Sequence, residues 1–319
     1  MKADSKPTRR EEMTHSSGKG EQQQPWIKLE QLLENSPDIG ATNRQNARKY
    51  RTISPARQSL QAEVSEIWDY RELVQNLAWR DLTTRYRQTA LGISWALIQP
   101  LLLMIVACAC FGRMMHNSAS DVPYPVFVYA GLLPWQYFSS AVTRASNSVL
   151  SVGGLMKKVY FPRVIAPIAS VIPPLVDLFV AFILVLGLMV LYHVPFQAHM
   201  LFAPLFVVLA SELALGLGLW AAALHVKYRD ICHIVPFFLQ LAMFASPVFY
   251  STNAIPERLR SFYFLNPLFG IIDGFRWSIT GTGIPDSRSI MVSIVVATIL
   301  LVTGGAYFKF TEDQFADYV

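Results

Sequence analysis

The stretch RDLTTRYRQTALGISWALIQPLLLM, Arg80–Met104, changes character partway along. Arg80, Arg85 and Arg87 crowd its start, and after Arg87 no formal charge occurs until Arg113. A cationic, ring-bearing segment that gives way to a long apolar run is the pattern of a chain entering a bilayer. The hydrocarbon core is about 30 Å thick and takes roughly 20 residues of helix. Upstream, Ile67, Tyr70, Val74 and Leu77 recur at steps of three and four, and Trp68, Trp79, Leu82 and Tyr86 form a neighbouring stripe. With Arg71, Arg80, Arg85 and Arg87, this predicts an amphipathic helix within residues 61–92, its rings at the interface and its guanidinium groups near phosphate. A soluble surface helix has the same stripes, and the adjoining apolar run argues against it.

The whole chain fits this boundary. Its 319 residues are 53% hydrophobic and 15% charged, where soluble domains carry about a quarter charged residues. Because the first sixty residues are strongly polar, the remainder is more apolar than the average. The fold class expected is an all-α membrane protein. Six spans are predicted: Ile93–Gly112, Tyr124–Thr143, Pro167–Tyr192, Leu201–Leu224, Ile231–Tyr250 and Ile290–Phe308. They form one membrane domain, residues 93–310, and six crossings put both termini on one side. Between the fifth and sixth spans, the apolar segment Phe262–Ile279 is cut by Asn266-Pro267 and Gly270. It suggests two short re-entrant helices, which need protein or water to satisfy their backbone groups. A loop on the membrane surface is the other reading. Pro173-Pro174 is expected to loosen the first half of the third span.

Residues 1–60 read as a disordered or flexible extension, either solvated or partner-docking, and 311–319 as a short tail. Residues 1–25 contain no apolar core of the kind a secretory signal needs. Basic residues set the orientation. Arg80, Arg85 and Arg87, then Lys157, Lys158 and Arg163, then Lys227 and Arg229, then Lys309 fall on one side, predicted to be cytoplasmic. The 251–288 region, with Arg258, Arg260, Arg276 and Arg288, is the exception. The net charge of +5 is modest and fits orientation and anionic lipid rather than nucleic acid.

The sequence has no GxxxxGK[ST] phosphate cradle, no HExxH and no GxSxG. Its six histidines are scattered, and Cys108, Cys110 and Cys232 lack further ligands nearby, so a metal is not expected. Ion coupling requires ionisable groups at membrane depth. Asp177 and Glu212 qualify, either as pathway groups or as polar contacts between helices. Two acids make a poor proton relay, so the energy source is expected in another subunit. A membrane-embedded transferase would need clustered acids or histidines at one face, and the sequence lacks them.

These residues resemble the type-two ABC exporter permeases, in particular the subgroup that exports lipid-linked polysaccharides such as O-antigen, capsule and teichoic acid. The resemblance rests on Arg80–Met104 and on YPVFVYAGLLPWQYFSSAV (124–142), LMKKVYFPRVIAPIASVIPPLVD (155–177), KYRDI (227–231), SPVFY (246–250) and LNPL (265–268). It covers about residues 66–310. It implies an interfacial helix before the first span and a cytoplasmic helix, at about Arg144–Arg163, that docks on an ATPase. It also implies two short helices on the exit side, matching the broken 251–288 region. By position, Arg80, Arg85, Arg87, Arg144, Lys157, Lys158, Tyr160, Phe161 and Arg163 would couple to the ATPase, with Tyr228, Arg229 and Asp230 as a second contact. Lipid headgroups for the lysines, and helix capping for Arg229 and Asp230, are the competing roles.

The implied assembly is a homodimer of this chain in a bacterial inner membrane with two separate ATPase subunits, which bind the ATP and Mg. No cofactor is expected in this chain. The substrate implied is a lipid-linked glycan, with a drug or small lipid, or ion-coupled flipping, as alternatives. Trp95, Trp135, Tyr137, Phe138, Phe249 and Tyr250 are candidates for the translocation pathway, because rings can stack on a sugar's C–H face. An interfacial belt or helix packing competes for each.

Overall fold

The computed structural model describes residues 67–87, 89, 91–115, 122–251, 263–312 and 315. The expected 1–60 extension, Arg258 and Arg260, and most of the 311–319 tail lie outside the described residues. Within them every regular element is helical: α1 Arg71–Tyr86, α2 Trp95–Met115, α3 Tyr124–Ser151, α4 Gly153–Met156, α5 Ile165–Leu191, α6 Ala203–Lys227, α7 Ile231–Ala245, α8 Pro267–Thr280 and α9 Ser287–Glu312. Short 3₁₀ turns at Gly92–Ser94 and Ala198–Phe202 lead into α2 and α6.

Among the described residues, four helices are long and apolar enough to cross a membrane: Gly92–Gly112, Ile165–Leu191, Ala198–Lys227 and Ser287–Glu312. Their outer faces carry Phe179, Ile183, Val190, Leu205, Val208, Met291 and Val302, all well exposed. So much apolar surface matches hydrocarbon as the solvent. Helix α7 has only 15 residues. Helix α3 has 28 residues but is too polar for the same class.

That polarity has a packing cause. Helix α3 is the hub of the bundle, packed against α2, α5, α6, α7 and α8. Val128, Tyr129, Ala130, Leu132, Ala141 and Ala145 are fully buried along it. A helix surrounded by protein need not be greasy, provided its polar groups are satisfied. Here Thr143 donates to the Ser139 carbonyl, Ser146 to Thr143, Ser148 to Ala145 and Ser151 to Ser148. Pro125 sits in the first turn and costs no hydrogen bond.

Helices α6 and α9 meet through glycine. A Cβ on Gly216 would lie 2.6 Å from the Leu301 nitrogen, and one on Gly304 would lie 2.5 Å from the Gly216 carbonyl oxygen. The seam is reinforced by Trp220 stacked on Tyr307 at 4.3 Å and donating to Thr303 Oγ1 at 3.2 Å. Backbone contact of this kind drives helix association where lipid removes the hydrophobic incentive.

Helix α1 lies against the start of α5. Its Leu77 is buried with Val152, Phe161, Ile165, Ala166 and Ala169, and Tyr70, Leu73 and Val74 pack at the edge. The first sequence stripe therefore faces protein. Trp68 and Trp79, 70% and 67% exposed, face away from it. Helix α5 runs unbroken through Pro173-Pro174, so the expected loosening is not seen as a break. In the broken region one helix, α8, starts where Asn266 Oδ1 accepts from the Leu268 N–H, with Pro267 in the first turn. It ends on Gly281 in the left-handed conformation, φ 67°. Residues 252–262, where a preceding short helix would fall, lie outside the described residues.

Candidate functional site: a polar cavity and the cationic end of the bundle

A cavity of ≈ 530 Å³ opens among α1, α2, α3, α5 and α7. One wall is apolar, formed by Leu103, Leu239 and Met243 among others. The other is polar and comes largely from one stripe of α3: Gln136, Ser140, Thr143 and Arg144, at steps of three and four. Gln99 of α2 and Gln240 of α7 face the same space.

At its edge α1 meets α5. Arg85 and Tyr86 both donate to the Asp177 carboxylate, one to each oxygen. Burial first, then the hydrogen bond to Asp177, pushes the Tyr86 phenol up to about 12, so it remains a donor at physiological pH. Asp177 is thus a polar contact between a span and the lead-in helix. Asp177→Asn should loosen α1 from α5 by about 1–2 kcal/mol. Hydrogen exchange across Arg71–Tyr86 should rise, while that of α6 and α9 stays unchanged. Equal protection in the variant would mean that Leu77 and its neighbours hold the helix alone.

The remaining expected coupling residues gather at one end of the bundle. Val149 of α3, Val226 of α6 and Phe308 of α9 share an apolar cluster with Phe315, so the loops after α3 and α6 end close together. Lys157, Lys158, Tyr228, Arg229 and Asp230 are exposed there. Tyr160 is 63% exposed, but Phe161 beside it is 3% exposed and packs on Leu77. Phe161 anchors the loop to α1, and Tyr160 is the ring left outside. Arg163 is tied inward: its backbone N–H donates to Glu312 Oε1 at 3.1 Å, and its guanidinium donates to the Glu312 carbonyl and lies 5.8 Å from the Phe315 ring centre. On α1, Arg80 is exposed and paired with Asp81 at 2.9 Å, and Arg87 is exposed. Arg85 and Arg144 line the cavity instead of the outer surface.

The six candidate rings divide into groups. Trp135 and Tyr137 are buried and line the cavity, with the Tyr137 hydroxyl 2.6 Å from Ser211 Oγ. Phe138 is buried next to Trp135, ring centres 6.0 Å apart. Trp95 is half exposed over a shallow ≈ 310 Å³ depression with Leu102 and Val106. Phe249 packs on Phe111, and Tyr250 edges onto Tyr263. Glu212 accepts from Thr298 across the α6–α9 seam at 2.9 Å. Among the described residues no group of three or more His, Cys, Asp or Glu could hold a metal ion.

No chemical motif in the sequence singles out Gln99, Gln136 or Gln240, and Arg276 stands there among the charges of the 251–288 region. The Arg276 side chain is 3% exposed. It donates to the carbonyls of Phe127 (3.3 Å), Pro247 (2.5 Å) and Val248 (3.1 Å), pairs with Asp273 and sits 3.8 Å from the Phe127 ring centre. It locks α8 to α3 and to the turn after α7. Gly131 makes room for it, since a Cβ there would meet the guanidinium.

The geometry is that of a helical bundle with a polar internal cavity and a cluster of exposed cationic side chains at one end. The family model described as ABC-2 type transporter matches residues 72–280, most of the membrane unit. The chain belongs to the ABC-2 type transporter family. Similar proteins in this family include the O-antigen export system permease protein RfbA of Myxococcus xanthus, 30% identical over 80% of this chain and 98% of that protein. The RfbA of Klebsiella pneumoniae is 25% identical over 75% and 91%. The polysialic acid transport protein KpsM of Escherichia coli is 25% identical over 75% and 93%. As an ABC-2 permease, the chain is an integral membrane protein, in keeping with the long apolar helices among its described residues.

Proposed function

We propose that this chain is the membrane-spanning subunit of an ATP-driven exporter that carries a lipid-linked polysaccharide across the bacterial inner membrane. The observation that carries the proposal is the near full-length similarity to permeases named for O-antigen export. The sequence itself holds no nucleotide cradle. Two copies of the chain with two ATPase subunits would form the exporter, and ATP and Mg would bind on the ATPases alone.

Helices α2, α3, α5, α6, α7 and α9 are assigned as six crossings, with both termini cytoplasmic. On this assignment α3 crosses despite its polarity because protein surrounds it, and α7 is completed by the residues up to Tyr250. The exposed set Lys157, Lys158, Tyr160, Tyr228, Arg229 and Asp230 faces the ATPase, flanked by Arg80 and Arg87 of α1. Helix α8 lies on the exit side as a re-entrant element. An inserted aromatic flanked by cations suits a groove on a soluble partner.

Closure of the ATPases on ATP would displace the 157–163 loop. Phe161 passes the displacement to α1 through Leu77, and Arg163 passes it to the end of α9 through Glu312. ATP supplies a bias only through its different affinity for the open and closed states. Ion coupling is less well supported, because Asp177 is engaged by Arg85 and Tyr86 and Glu212 by Thr298.

The docking assignment is tested by changing Lys157, Lys158 and Tyr160 together to alanine. These side chains are exposed, so folding should be retained while co-purification of the ATPase falls at least tenfold. Full retention of the ATPase would move the docking surface elsewhere.

A further inference from the structure

The cavity has more hydrogen-bond donors than it can use. Two guanidinium groups, Arg85 and Arg144, face it against one carboxylate, Asp177. That carboxylate already accepts from Arg85 and Tyr86. Among the described residues half-buried Arg144 makes no direct hydrogen bond or ion pair; Asp177 and Asp81 attract it only at longer range. Eight residues earlier, about two helical turns or roughly 12 Å along α3, the Gln136 amide nitrogen is buried with no partner in the described residues. A cation and an amide donor left unsatisfied in the same cavity call for an acceptor-rich ligand.

We propose that this cavity binds the phosphate group of an amphiphile, with Arg144 and Gln136 as its principal ligands. Arg144 and Gln136 come from α3, Gln99 from α2 and Gln240 from α7, so donors approach from three helices. A planar carboxylate offers two oxygens in one plane. A phosphate offers three in a tetrahedral array and accepts from several sides at once. The apolar wall of Leu103, Leu239 and Met243 lies alongside and suits a hydrocarbon chain rather than a free ion. Arg85, held at the edge by Asp177, adds a second positive group without leaving α1. The proposal rests on the export reading for the identity of the amphiphile, which would be the lipid end of the substrate. It also takes Arg144 out of the ATPase-docking set.

The test uses the full-length chain in phosphatidylcholine nanodiscs and equilibrium binding of labelled farnesyl diphosphate. Farnesol and inorganic pyrophosphate serve as competitors. Arg144→Gln should weaken binding roughly tenfold or more, as expected for losing a charged hydrogen-bond partner. Arg144→Lys keeps the charge, should recover part of the affinity, and covers the case in which the glutamine variant does not fold. Gln136→Leu should weaken binding a few-fold, and Val302→Ala on the lipid face of α9 should leave it unchanged. Unchanged affinity in both Arg144 variants, or competition by farnesol equal to that by unlabelled farnesyl diphosphate, overturns the proposal. Pyrophosphate competing as well as the farnesyl compound keeps the phosphate site but overturns the amphiphile. Export is read separately, as surface glycan in cells lacking the gene. Glycan lost there with Arg144→Gln binding intact removes the site alone, whereas glycan unchanged removes the export reading.

Discussion

Arg276→Met should lower the stability of the purified protein by about 3–5 kcal/mol, the cost of breaking a buried, fully hydrogen-bonded charge network by removing one partner. The methionine fills similar space but donates nothing. The carbonyls of Phe127, Pro247 and Val248 lose their donor, and Asp273 loses its ion pair. Arg276→Lys should recover only part of the loss, because one ammonium on a flexible stem cannot reproduce the planar fork that spans α3 and the turn after α7. Thermal unfolding in detergent reads this directly. A melting temperature within a degree or two of wild type for Arg276→Met would mean that α8 is held by its apolar face. Gly131→Ala should fall between the two, since its methyl group displaces the guanidinium without removing it.

Gly216→Leu is expected to cost about 3 kcal/mol or more by forcing α6 and α9 apart. The added side chain would meet the backbone of Leu300 and Leu301, which cannot step aside as a side-chain tip can. Separation would also strain the Trp220–Tyr307 stack and the Glu212–Thr298 hydrogen bond on the same seam. Gly305 provides the internal comparison. A Cβ there meets nothing within 4 Å, so Gly305→Ala should be neutral or slightly stabilising through helix propensity. If the two substitutions behaved alike, close backbone approach would not be what joins these helices.

Periodicity and composition located the helices well but not what surrounds them. Asn266-Pro267 marked the start of α8, because a cap and a first-turn proline act locally. Helix α3 continues without a break from the expected span, Tyr124–Thr143, to Ser151. Its Thr and Ser residues near that end turn their hydroxyls back onto the helix and stay among other helices, which composition alone does not show. The stripe of Gln136, Ser140, Thr143 and Arg144 was visible at helical spacing, and weighing polar residues as a stripe would have located the cavity wall.

Other features depended on partners distant in the chain. Asp177 was recognised as an intramembrane acid, but its partners stand 91 and 92 residues earlier, and no local pattern links them. Tyr160 and Phe161 looked alike in sequence, and the structure separates them because Leu77 and Ile165 claim only the second ring. Arg276 was obscured by its neighbours: four arginines between 251 and 288 read as surface charge, although one of them is the buried lock of α8.

We propose that this ABC-2 permease has no energy source of its own and is driven through the cationic end of its bundle. The most direct test is reconstitution into proteoliposomes with lipid-linked glycan, with and without the cognate ATPase. Glycan should cross only when both proteins and ATP are present, and transport should stop when Lys157, Lys158 and Tyr160 are replaced together. ATP hydrolysis by this chain alone, or glycan movement driven by an ion gradient without a second protein, would contradict it.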